Sequence, residues 1–172
     1  VLALVSRPGF DPNLFIDEAF YTSVGVAMHQ GALPYVEVWD RKPFGLFALY
    51  WVFTAFSPSP LGYQLPAIAF SGATGWMISR IALLWNSRPA ALGAGALYVL
   101  SLGLFLGFGG QSPVFYNLPM ALAALLVLRS RQTLRASGPD SATYLAMVLA
   151  GLAITIKTTA LFEAGFLGLY AA

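Results

Sequence analysis

The sequence predicts an all-α fold: a polytopic membrane helical bundle that carries an amphipathic helix in an extracytoplasmic loop. Hydrophobic residues make up 58% of the 172 residues and charged residues only 9%, whereas soluble domains carry about 25% charged residues. Long apolar runs alternate with breaks rich in glycine, proline or arginine, as in membrane proteins with several spans. Five of the seven carboxylates lie between Asp11 and Asp40, so one acidic segment stands apart from the apolar remainder.

The first part of this single membrane domain, residues 1–60, is interpreted as the tail of a preceding span followed by an external loop with interfacial helices. An amphipathic helix is expected over 15–30, and Gly31, Pro34 and Pro43 then favour an ordered loop. The apolar run 44–56 is short for a span and is therefore interpreted as interfacial or re-entrant.

The second part, residues 61–172, is interpreted as transmembrane helices. We expect spans over the five segments 61–85, 90–108, 114–128, 144–156 and 158 onward. We also expect the chain to be a fragment whose last helix is truncated, since it opens on Val1 and stops inside an apolar run.

Arginine positions predict the orientation of these spans, because basic loops favour the cytoplasmic side. Two spans separate Arg80 and Arg88 from the run that contains Arg129, Arg131 and Arg135, so both groups fit one side. Residues 17–42, the loop at Gln111 and Lys157 then fall on the extracytoplasmic side of the cytoplasmic membrane. This holds if 44–56 does not cross; if it crosses, the acidic loop is cytoplasmic.

Several functional classes are excluded by composition. The chain has no cysteine and one histidine, which excludes disulfides, thiolate chemistry and zinc sites built on cysteine or several histidines. Basic residues are not interleaved with stacking aromatic residues outside the apolar runs, so nucleic acid is not an expected partner.

Asp17 and Glu18 are the candidate catalytic residues. On a helix, Asp17 shares a stripe with Phe20, Tyr21, Val24 and Met28, which predicts loss of hydration and a raised pKa suited to a base. Glu18 is expected on the flank with Thr22, Gly25 and His29, where water reaches it more easily. The alternative is that both acids only complement the dipole of the first helical turn.

Positive charge on the same side suggests a site for a phosphate group. Arg41 and Lys42 precede the short apolar helix, and Lys157 follows a predicted span; each either binds phosphate or extends to the membrane interface. Asp40 either pairs with these cations or binds substrate.

Four residues are candidate sugar contacts: Tyr21, Gln111, Tyr116 and Asn117. The alternative for the last three is that they satisfy the backbone of a Gly-Pro loop. His29 is interpreted either as a satisfied polar residue or as a catalyst, and Glu163 as having either a buried partner or a functional role.

The first external segment resembles that of GT-C glycosyltransferases, above all the bacterial branch grouped with protein mannosyltransferases and lipid A aminoarabinose transferases. The likeness is carried by Asp17-Glu18, Tyr21, Gly31 with Pro34-Tyr35, and the run WDRKP at 39–43. The run GLA at 151–153 followed by Lys157 is similar to a later helix of that family. The resemblance covers most of the chain in order.

This resemblance implies an enzyme that moves a hexosyl or pentosyl group from a polyprenyl-phosphate carrier to a lipid, glycan or protein acceptor. Asp17 would be the general base, Glu18 would orient the acceptor or a cation, and Lys42 and Lys157 would hold the carrier phosphate. It implies no certain cofactor and leaves a divalent cation open. Two family features are missing: an acid near QSPVFYNLP, and an arginine where this chain has Gln64.

Two alternatives come from other classes. A transporter or lipid-handling membrane module would use the external polar face as a vestibule, and would carry charges near mid-membrane with broken helices. A non-catalytic assembly subunit would tolerate replacement of Asp17 and Lys157. Membrane lipids are expected partners under all three interpretations.

Overall fold

The computed structural model describes residues 16–105 and 109–171. The expected tail of a preceding span lies outside these residues. The described residues form seven α-helices, which are α1 (Ile16–His29), α2 (Phe44–Phe56), α3 (Leu61–Ala82), α4 (Arg88–Leu104), α5 (Ser112–Ser137), α6 (Ser141–Ile156) and α7 (Ala160–Ala171).

The all-α prediction is confirmed for the described residues, whose only extended pairing is one isolated bridge between Pro34 and Val38. Local sequence explains several helix ends. Pro89 and Pro113 occupy the first turns of α4 and α5, where a missing N–H costs nothing. Asp140 caps α6 by accepting a hydrogen bond from the Thr143 N–H at 2.8 Å.

Helices α3 to α7 pack as a bundle, in which α3 contacts α4 and α5, and α5 contacts α6 and α7. The α3–α4 crossing depends on glycine: a Cβ on Gly75 would lie 3.0 Å from the Gly95 carbonyl oxygen. The α5–α6–α7 core uses small side chains, including Ala123, Ala146 and Ala153, which are fully or almost fully buried. Small residues therefore set the close spacing of the bundle.

Helix α2 lies across one end of this bundle. A Cβ on Gly45, at its start, would lie 2.5 Å from the carbonyl oxygen of Thr155 near the end of α6. Farther along α2, Phe53 packs on Phe115 at the start of α5, with ring centres 5.3 Å apart. The chain then bends by 119° into α3. Both parts of α2 therefore contact the same end of the bundle, which fits the interfacial or re-entrant interpretation.

Length and hydropathy support a membrane location less fully than the sequence predicted. Among the described residues, only α5 is long and apolar enough to cross a membrane by itself, and α2 with α3 meets the criterion only as a bent pair. Helices α4, α6 and α7 are apolar but have 12 to 17 residues. The polytopic arrangement and the cytoplasmic-membrane location stay predictions.

The two ends of the bundle differ in chemistry. At one end, here called the polar end, lie Glu18, Tyr50, Gly110 and Lys157. Glu18 and Tyr50 both hydrogen-bond Gly110, and Lys157 lies 5.8 Å from the centre of the Tyr116 ring. The opposite end, here called the arginine end, holds Arg80, which lies over Trp76, and Arg131, whose guanidinium lies 5.3 Å from the Trp85 ring centre.

Candidate functional site

Helix α1 presents its two acids the opposite way from the sequence prediction. Glu18 is 0% exposed, whereas Asp17 is exposed, so the expected desolvation of Asp17 and hydration of Glu18 are both wrong. The helix buries Glu18, Tyr21, Val24 and Gly25, a face that shares Tyr21 and Val24 with the predicted stripe but is centred about 50° from it, towards Glu18. Glu18 tolerates burial because its Oε1 accepts a hydrogen bond from the Gly110 N–H at 2.8 Å.

Tyr21 brings Asp17 and Lys42 together. Its hydroxyl donates to Oδ2 of Asp17 at 3.4 Å, and the Lys42 Nζ lies 5.9 Å from the centre of its ring. Burial, followed by the nearby Asp17 carboxylate, holds the pKa of the Tyr21 phenol well above its usual value. Tyr21 therefore stays a neutral donor to Asp17, and its ring face attracts the Lys42 ammonium.

The loop before α2 positions Lys42 through Tyr35. The Tyr35 hydroxyl donates to the Lys42 carbonyl oxygen at 2.7 Å, and its ring packs on Phe47 with centres 5.8 Å apart. Tyr35 adopts a φ of 69°, which is uncommon for a residue other than glycine. Two hydrogen bonds accompany this turn: the Tyr35 N–H donates to the Val38 carbonyl oxygen, and the Leu33 N–H donates to the Glu37 side-chain carboxylate.

Lys157 belongs to the same group of charges. It follows the last residue of α6, and its Nζ lies 5.8 Å from the centre of the Tyr116 ring. Burial and then the positive charge of Lys42 lower the pKa of Lys157, and the Glu163 carboxylate opposes that effect. The two lysines are therefore close enough to repel each other, and they are the only lysines of the chain. An anion between them would relieve that repulsion.

The other residues singled out from the sequence occupy varied positions. Asp40 accepts from the Arg41 backbone N–H, and the Arg41 side chain is exposed. Gln111 is half-buried at the N-cap of α5 and makes no capping hydrogen bond through its side chain. Asn117 donates to the Tyr98 hydroxyl at 3.1 Å, which joins α5 to α4. The Asn117 amide therefore contributes a hydrogen bond to helix packing, whereas the Gln111 amide makes no capping hydrogen bond.

The hydrogen-bond environments of His29 and Gln64 were not predicted from the sequence. A ring nitrogen of His29, Nε2, lies 2.9 Å from the Trp51 carbonyl oxygen, and the two rings stack with centres 5.5 Å apart. Gln64 is 3% exposed, and both polar atoms of its side-chain amide lack a hydrogen-bond partner among the described residues. A buried unpaired amide is costly, so Gln64 is an exception in this packed end.

A largely apolar groove of about 850 Å³ runs along the bundle beside α7. Its walls come from α3, α4, α5 and α7, and Asn117 and Glu163 supply polar atoms. Asn117 follows Tyr116, on which Lys157 lies. The groove therefore begins near Lys157, whose charge also interacts with Glu163.

Sequence reasoning missed the residues that hold the polar end together. Gly110 precedes Gln111 in a predicted loop, and Tyr50 lies within the apolar run 44–56, so neither residue stands out in the sequence. The Tyr50 hydroxyl donates to the Gly110 carbonyl oxygen at 2.7 Å, while Glu18 accepts from the Gly110 N–H. The Gly109-Gly110 pair was the available signal, because adjacent glycines often permit a close approach of backbone.

Metal ligands do not cluster in the described part of the chain. No three histidine, aspartate or glutamate side chains there come close enough to hold a metal ion. Around Tyr21 and Tyr116 lie one exposed carboxylate, that of Asp17, and two lysines, Lys42 and Lys157.

Comparison with known proteins found no match for this chain among family models, curated proteins or solved structures.

Proposed function

We propose that the protein is a membrane glycosyltransferase of inverting type that takes a sugar from a polyprenyl-phosphate carrier at the polar end. The observation that carries this proposal is the contact of one ring, Tyr21, with both Asp17 and Lys42. A group-transfer reaction from a lipid phosphate needs a base for the acceptor and positive charge for the leaving group. The proposal places both around Tyr21.

In the proposed reaction, Asp17 accepts the proton of the acceptor hydroxyl. The resulting oxygen nucleophile forms a bond with the anomeric carbon of the sugar while the bond from that carbon to the phosphate oxygen breaks. The electron pair leaves with the phosphate, whose charge Lys42 and Lys157 offset. Exposure of Asp17 suits this role, because its acceptor must reach the carboxylate, and Tyr21 fixes the carboxylate by a hydrogen bond.

Surface chemistry supports a lipid-linked donor. Apolar side chains project outward from α4, α6 and α7, including Leu104 (81% exposed), Phe162 (81%) and Leu169 (83%). Exposed apolar surface of this extent suits contact with lipid. The groove beside α7 would hold the first isoprene units of the carrier, with the phosphate at the lysines.

Sugar transfer by the protein in liposomes tests the proposal, with a polyprenyl-phosphate-linked sugar as donor and the Asp17→Asn variant as comparison. Loss of the base is expected to reduce kcat about 10²- to 10⁴-fold. Asp140→Asn is the matched control, since it makes the same substitution at the N-cap of α6, where asparagine also caps well. Full activity of Asp17→Asn would overturn the base assignment. Donor binding without transfer by the unaltered protein would favour the lipid-handling alternative.

A further inference from the structure

The Gly110 residue is held from two sides by helices distant in sequence. Its N–H donates to Glu18 Oε1 of α1 at 2.8 Å, across 92 positions of the chain, and its carbonyl oxygen accepts from the Tyr50 hydroxyl of α2 at 2.7 Å. All three residues are buried. Buried hydrogen bonds of this kind, one of them to a carboxylate, are strong and directional.

Close approach at this point requires glycine. A Cβ on Gly110 would collide with the Tyr50 hydroxyl and would lie 2.6 Å from the Tyr63 ring. Tyr50 and Tyr63 pack on each other with ring centres 5.6 Å apart. The Gly110 backbone therefore packs directly against the side chains of both tyrosines.

This contact connects the two parts of the proposed site. Asp17 adjoins Glu18 on the first turn of α1, and Gln111 adjoins Gly110 at the N-cap of α5. One turn further along α5 is Tyr116, which carries Lys157 on its ring. Any movement of α1 relative to the start of α5 would thus change the separation of Asp17 from Lys157.

We infer that Glu18 is a positioning residue rather than a contact for acceptor or cation: it anchors the first turn of α1 to Gly110 and so fixes Asp17 relative to the start of α5. Its role in catalysis rests on the proposed function, but the anchoring itself does not. The anchor consists of Glu18, Gly110 and Tyr50.

Two variants break the anchor from opposite sides. Glu18→Ala removes the acceptor of the Gly110 N–H, and Tyr50→Phe removes only the hydroxyl that donates to the Gly110 carbonyl. Tyr50→Phe keeps the aromatic packing, so it stays informative where Glu18→Ala fails to fold. If Glu18 acted instead by contacting the acceptor, Glu18→Ala would lower activity and Tyr50→Phe would not.

A spin-label distance measures the position of α1 without any enzymatic assay. The chain has no cysteine, so labels on Ala19→Cys and Ala136→Cys are unique, and both positions are exposed. The span of α5 places them about 40 Å apart. Both anchor variants are expected to broaden or shift this distance distribution, whereas Asp17→Asn leaves it unchanged.

Kinetics provide the second readout. Both anchor variants are expected to lower kcat, up to about 10²-fold for a displacement near 1 Å, with the KM for the lipid donor within about twofold of the original because the lysines are untouched. An unchanged distance distribution in folded Glu18→Ala or in Tyr50→Phe would overturn the anchor. So would loss of kcat in Glu18→Ala beside full activity in Tyr50→Phe. If the unaltered protein transfers no sugar, the proposed function fails while the distances still test the anchor.

Discussion

Lys157 places its ammonium nitrogen 5.8 Å from the ring centre of Tyr116, across the interface between the end of α6 and the start of α5. Burial and Lys42 lower the pKa of this lysine. Its charge is therefore easier to remove than that of an exposed lysine, which has a consequence for anion binding.

Lys157→Gln is expected to weaken binding of polyprenyl phosphate about 10- to 100-fold, because a hydrogen bond to a charged group is lost. In the unaltered protein, Lys157 is charged below its pKa. Affinity should accordingly fall as the pH rises, and the fall should begin below the ordinary lysine pKa of 10.5. Titration of the lipid into detergent-solubilised protein at a series of pH values measures both effects. Arg88→Gln, at the arginine end, is the control that should change neither, and equal loss in both variants would contradict a local site.

Asp140→Ala should lower the melting temperature, since Asp140 accepts hydrogen bonds from the Thr143 N–H, the Thr143 hydroxyl and the Ser130 hydroxyl. The Thr143 hydrogen bonds are the largest cause of the lowered pKa of Asp140. A carboxyl whose pKa is lower in the folded state stabilises that state above its unfolded pKa. This stabilisation is lost as the pH falls through the folded pKa. Thermal unfolding across that acidic range should show a smaller pH dependence in the alanine variant than in the original protein.

Gln64→Met is expected to raise the free energy of unfolding by about 1–3 kcal/mol, because it removes a buried amide that is unpaired among the described residues while keeping side-chain volume. Denaturant titration in a mild detergent measures the change. A destabilised variant would indicate that the amide has a partner. Gln30→Met, at an exposed position after α1, is the control for the substitution itself.

Gly95→Ala and Gly93→Ala should have opposite effects on stability. A Cβ on Gly95 would collide with Gly75 backbone and the Ser79 side chain, whereas a Cβ on Gly93 meets nothing within 4 Å. We expect Gly95→Ala to cost about 1–3 kcal/mol and Gly93→Ala to gain about 0.5–1 kcal/mol from reduced backbone freedom. Equal effects in the same unfolding assay would mean that α3 and α4 do not pack at this crossing.

Single cysteines test the membrane orientation, since the chain has none of its own. An impermeant thiol reagent added outside intact cells should label Ala19→Cys and Thr158→Cys, both exposed at the polar end. Ala136→Cys, beyond the arginine end, should react only after the membrane is opened. Labels at positions 19 and 158 on opposite sides would rule out the proposed site.

Helix positions were largely predictable from sequence because they follow from apolar runs between strong breaks. Gly138 ends α5 with a φ of 82°, and Asp140 starts α6; both signals are local. The length of α5 was less predictable: the predicted span is 114–128, but the helix continues through the arginine-rich run to Ser137, because arginine and glutamine also favour helix.

The roles of Asp17 and Glu18 could not be predicted from helical periodicity alone. The two acids lie 100° apart, one on each side of Tyr21, so a rotation of the helix by about 50° from the predicted orientation decides which of them is buried. That rotation depends on the hydrogen bond from Gly110, which is 92 residues away. No local sequence pattern indicates this contact. The grouping of Lys42 with Lys157 was easier to anticipate, because charge placement along the chain already assigned them to one end.

The position of α2 across the bundle end gives the two substrates of the proposed reaction separate entrances. A water-borne acceptor would approach the outward side of α1, where Asp17 is open to solvent. The prenyl carrier would instead enter laterally through the groove between α3 and α7. Donor and acceptor would then bind by separate routes, so neither substrate would block the entry of the other.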